Sequence, residues 1–86
     1  MAAMDIQSMR SLFDVGVLQE AIIAPAPMEA GSWILLVQKS DGTLEHMTVA
    51  RSKRQKIYKS LDSAVADVTR VGFKSMKLSV AMLNVA

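Results

Sequence analysis

Hydrophobic and polar positions change their spacing along this chain, and each change marks an element. The best-defined pattern begins at Trp33-Ile34-Leu35-Leu36-Val37-Gln38-Lys39-Ser40 and meets Asp41-Gly42, a dipeptide whose tolerance of positive φ suits a two-residue type I′ turn. The return strand is then Thr43 to Ala50. With that loop Ser40 pairs with Thr43. One face carries Leu36/Met47 and Ile34/Val49, ending in Gln38/Glu45, and the other carries Val37/His46, Leu35/Thr48 and Trp33/Ala50. A hairpin with one wet face alternates cleanly, and this one is apolar on both faces near Trp33. Each side therefore needs a cover.

A helix supplies one cover. Ser60 is a good N-cap, and Leu61, Ala64, Val65, Val68 and Val71 recur on a single helical stripe. Asp62 and Arg70 sit at the ends the macrodipole favours, and Gly72 with Phe73 reads as a Schellman-type stop. Beyond it, Ser75 to Leu83 alternates, with Met76, Leu78, Val80 and Met82 on one face of a strand. Upstream, β-branched Ile22 and Ile23 run into Pro25 and Pro27, which favours a strand over residues 17–24. The first sixteen residues read as either a short helix, capped by Asp5 or Ser8 and ended by Gly16, or a flexible arm.

Together these elements predict an α+β fold. A small three- to four-stranded, mainly antiparallel sheet (hairpin, helix, strand) carries one main helix packed on it. Residues 1–86 form a single domain. The second apolar face is expected to be covered by the N-terminal helix or by another copy of the protein.

Composition narrows the class. With 51% apolar and 21% charged residues the chain is globular rather than disordered. A core this small rarely supplies more than about 3–5 kcal/mol, so leftover apolar surface favours a homodimer. Zero cysteines exclude disulfides, thiol nucleophiles and cysteine-held metals. No apolar run approaches the ~20 residues of a membrane span, and the start lacks the pattern of a secretory signal. A cytoplasmic location is expected.

Charge is segregated along the chain. Residues 1–50 carry Arg10 and Lys39 against six acidic side chains, giving −4; residues 51–86 carry eight basic side chains against Asp62 and Asp67, giving +6. The densest stretch is Arg51-Ser52-Lys53-Arg54-Gln55-Lys56-Ile57-Tyr58-Lys59, five cations in nine residues with no acid. Such a loop suits DNA phosphates or an acidic protein partner, with Gln55 and Tyr58 adding hydrogen bonds or stacking and Lys74 and Lys77 extending the patch. A rival surface is apolar: Trp33, Leu35 and Val37 as the interface of a protein–protein adaptor.

Catalytic chemistry finds no residues. His46 is the single histidine and sits in a strand. Asp62 and Asp67 are five apart, read as separate surface charges, and the serines have no base beside them. The dispersed glycines make no phosphate-cradling loop. No enzyme activity, metal, cofactor or small-molecule substrate is expected, and Met47, Met76 and Met82 read as core filling.

Several pieces also occur in a known order: Pro25-Ala26-Pro27, Gly31-Ser32-Trp33, Asp41-Gly42, Thr48-Val49-Ala50-Arg51, Tyr58-Lys59-Ser60-Leu61-Asp62-Ser63-Ala64 and Val71-Gly72-Phe73. In this the run from Leu18 to Val80 resembles small plasmid-borne proteins, the partition-associated ParC-like family. The Gly common after the Arg is Ser52 here. The resemblance implies a non-enzymatic accessory role in plasmid partition or stability.

Overall fold

The order along the chain is α1 (Ile6–Asp14), β1 (Leu18–Pro25), β2 (Trp33–Lys39), β3 (Leu44–His46), α2 (Leu61–Val71) and β4 (Lys77–Leu78). A computed structural model describes residues 4–27, 29–50 and 54–79. The four strands form one mixed sheet in the order β3-β2-β1-β4, antiparallel except where β4 runs parallel to β1. The α+β class, the strand before Pro25 and the main helix are thus present as the sequence predicts, and of the two readings of the N-terminal segment the helix is the one found, over Ile6–Asp14. Positions 80–83 of the expected last strand lie outside the described residues.

The hairpin departs from expectation by one residue. Lys39 N–H donates to Thr43 O at 2.8 Å and Gly42 N–H to Lys39 O at 2.9 Å, so the loop is Ser40-Asp41-Gly42. Gly42 has φ +90°, the left-handed third residue that makes a three-residue loop with a bulge. The Asp41 carboxylate accepts from Thr43 N–H at 2.9 Å and Oγ1 at 2.7 Å, which fixes this longer loop. Register moves accordingly to Leu36↔His46, Val37↔Glu45 and Gln38↔Leu44. A one-residue slip moves every side chain to the opposite face. Met47, expected beside Leu36, instead donates its N–H to Leu35 O at 2.8 Å and joins the helix-side core.

After Met47 the chain turns away from β2, so the expected pairs Leu35/Thr48, Ile34/Val49 and Trp33/Ala50 do not form. Thr48 pairs with Gln55, and Trp33 exchanges two 2.8 Å backbone hydrogen bonds with Tyr58. The basic segment is thereby brought back to the end of β2, directly before α2.

Both described helices lie on one face of the sheet. Met9 of α1 and Ala64, Val68 and Val71 of α2 share a cluster with Ile23, Leu35, Val37, Met47 and Tyr58. On the other face Ile22, Ala24, Ala26, Ile34 and Leu36 form a second cluster, all buried. The N-terminal helix is therefore not the cover of the second face, and burial of that face requires no second copy.

The caps explain why α2 begins and ends where it does. Ser60 Oγ accepts from Ser63 N–H at 3.2 Å, and Phe73 N–H reaches back to Val68 O at 3.3 Å past Gly72. Gly72 has φ +128°, and a β-carbon there would lie 2.7 Å from the Phe13 ring. Phe13 in turn meets Phe73 edge-on, with centroids 4.9 Å apart. Gly72→Ala is therefore expected to destabilise by about 1–3 kcal/mol through backbone strain and overpacking. In a domain of this size each kcal/mol lowers the thermal midpoint by roughly 4–8 °C. An unchanged midpoint would show that α1 does not close on this cap.

Candidate anion-binding cleft

The basic segment and α2 meet along a cleft of about 460 Å³ whose lining includes Lys56, Tyr58, Lys59, Ser63, Asp67 and Arg70. At its floor is an acid. Asp67 is 3% exposed, a correction to its reading as a surface charge. It follows Ala64 by three residues and precedes Val71 by four, which places it on the buried side of α2. Val65 takes the outward position instead and is exposed.

A buried carboxylate is expensive unless several donors surround it. Here three do. Tyr58 Oη donates to Asp67 Oδ2 at 2.7 Å, Lys56 Nζ to the same oxygen at 2.9 Å, and Arg70 NH1 to Oδ1 at 3.2 Å. Burial alone would raise the Asp67 pKa. Hydrogen bonds from Lys56 and Tyr58 and the charges of Lys56 and Arg70 outweigh it and hold the group below its ordinary value. Tyr58 is driven the other way: burial first, then the adjoining carboxylate, push its phenol far above the usual range. It therefore remains a hydroxyl donor. Lys56 Nζ also lies 5.2 Å from the Tyr58 ring centroid, within reach of a cation–π contact.

Tyr58 is thus a buried anchor of the loop, with its hydroxyl engaged inside the protein and not offered to a partner for the hydrogen bond or stacking anticipated. Lys59 is the most exposed of the three cleft cations: its side chain is 75% exposed and its Nζ pairs with Glu29 at 2.7 Å. That hydrogen bond holds the Glu29 carboxyl below its usual value. Arg54 is exposed at the start of the segment. Arg51 and Lys53 lie outside the described residues.

The other expected site residues sit elsewhere. Lys77 is in β4, beside Ile22 of β1, at the sheet edge opposite β3. With β1 and β2 between, Lys77 does not extend the patch around Lys56 and Lys59. Lys74 is exposed on the segment leading to β4. Leu35 and Val37 are 1% and 0% exposed in the helix-side core, so these two are interior, while Trp33 packs half-buried against that core. Among the described residues no three His, Cys, Asp or Glu gather where they might hold a metal ion, and no helix is long and apolar enough to cross a membrane.

Searches for a matching family model, a similar curated protein and a similar solved structure found none.

Proposed function

We propose that this chain is a non-enzymatic binding protein that holds nucleic-acid phosphates on the basic surface formed by residues 54–59 and Arg70. The observation that carries this reading is the placement of Lys56, Lys59 and Arg70 around one open cleft, with side chains 42%, 75% and 68% exposed. Cations in that number and exposure make backbone contacts that are insensitive to sequence. The sequence resemblance adds an accessory role in plasmid partition or stability, and the sequence pattern adds a cytoplasmic location.

Binding to non-specific duplex DNA at two or more salt concentrations tests the reading. Each phosphate neutralised contributes about −0.9 to the slope of log affinity against log salt, so three cations predict a slope between about −1, where they share one phosphate, and about −3, where each takes its own. Substituting any one of the three by Gln weakens binding and flattens the slope by about 1 at most. An affinity that does not respond to salt would count against phosphate contact and favour an acidic or apolar protein partner.

A further inference from the structure

We propose that Lys56 and Arg70 form a clamp for a single phosphate-type oxyanion, and that Asp67 is the residue that positions both. The assignment of that oxyanion to nucleic acid rests on the function proposed above; the clamp itself rests on geometry.

The Asp67 side chain is 4% exposed, whereas the two cations it binds are 42% and 68% exposed. The carboxylate therefore lies beneath them and they face the cleft. An ammonium offers three donors and a guanidinium five, and Asp67 takes one from each. Both cations are tied to one carboxylate, and their remaining donors line the same cleft. Tyr58 completes the device by fixing Oδ2 from below while its ring supports Lys56. A guanidinium and an ammonium anchored on one carboxylate suit a tetrahedral oxyanion, which can accept from both. Lys59, reaching away to Glu29, lies outside the pair.

This arrangement predicts a counterintuitive sign. Removing a negative charge from a cationic cleft should tighten an anion, by about twofold for a screened carboxylate behind the contact. Freeing two long side chains that were held in place works against binding by a larger factor, about fivefold or more. The positioning effect wins.

The experiment titrates inorganic phosphate into the full chain while following the side-chain nitrogen resonances of Lys56 and Arg70. Both should shift saturably, and Lys56→Gln and Arg70→Gln should each weaken phosphate about fivefold. Asp67→Asn, with the amide spectrum away from the cleft unchanged, should weaken it about threefold although net charge rises by one. Asp67→Glu, which restores the charge, should recover part of that loss. If Asp67→Asn does not fold, Tyr58→Phe decides, since it removes one hydrogen bond and no charge; about twofold weaker binding is expected. Tighter binding in Asp67→Asn, unchanged binding in Tyr58→Phe, or no response at Lys56 and Arg70 overturns the clamp. A duplex arm separates the two sources of phosphate. Phosphate binding without duplex binding would keep the clamp and overturn the nucleic-acid reading. Equal duplex binding by wild type, Asp67→Asn and Tyr58→Phe would do the reverse.

Discussion

Leu35→Ala is expected to lower the free energy of unfolding by about 2–5 kcal/mol, the range for deleting a buried leucine. Leu35 is 1% exposed and shares its cluster with Ile23, Val37, Met47 and Val68, so alanine leaves a void between sheet and helices. Against a total stability of about 5–15 kcal/mol for an ordinary domain, that loss is large. Val65→Ala serves as the control: Val65 is 40% exposed on α2, and the change should stay within about 0.5 kcal/mol. Urea midpoints of both variants measure the difference. A Leu35→Ala protein as stable as wild type but with altered mass would return Leu35 to the surface and revive the adaptor reading.

Asp67→Ala should lower stability by about 1–3 kcal/mol at neutral pH. Most of it comes from the Tyr58 hydroxyl, which is buried and would lose its acceptor. Lys56 and Arg70 reach water and contribute less. The carboxylate also predicts an acid limb. Its folded pKa is depressed relative to the value near 3.9 expected in an unfolded chain. Its contribution is therefore fully present above about pH 4 and is lost as pH falls through the depressed folded value. Asp67→Asn keeps an acceptor for Tyr58 while removing the ionisation and one of the two acceptor oxygens, so the gap between it and wild type should hold from neutral pH to about pH 4 and narrow as pH falls further. A gap that does not narrow below about pH 4 would show that Asp67 is not an ionised partner of Lys56 and Arg70.

Local chemistry made much of this fold legible. Ser60 and Gly72 bracket α2, Asp5 caps α1, and Ile22 and Ile23 ahead of Pro25 form β1, each for reasons carried by the residues themselves. The register of the hairpin was not legible, because Asp41-Gly42 serves two-residue and three-residue loops alike. Its choice depends on the Asp41 carboxylate meeting Thr43, a contact visible only in space. The path after Met47 was hidden for a similar reason. Val49 and Thr48 continue a plausible strand pattern, yet Tyr58 takes the place beside Trp33.

The candidate site was half visible. A run of cations announced a basic surface, but charge counting treats every lysine alike. Lys56 is bound to a buried acid, Lys59 to Glu29, and Lys77 lies across the sheet. Asp67 had a faint signal of its own, an acid at the inward spacing between Ala64 and Val71. An acid in that position calls for partners, and the Lys56 and Tyr58 pair just before the helix supplies them.

The most direct test of the basic surface maps where a short DNA duplex touches the protein, by amide and side-chain shifts at low salt. The account predicts shifts along residues 54–59 and at Ser63, Ala66 and Arg70 of α2, fading together as salt is raised. Shifts confined to Lys74 to Ser79 at the β4 edge, or none at low salt, would contradict it.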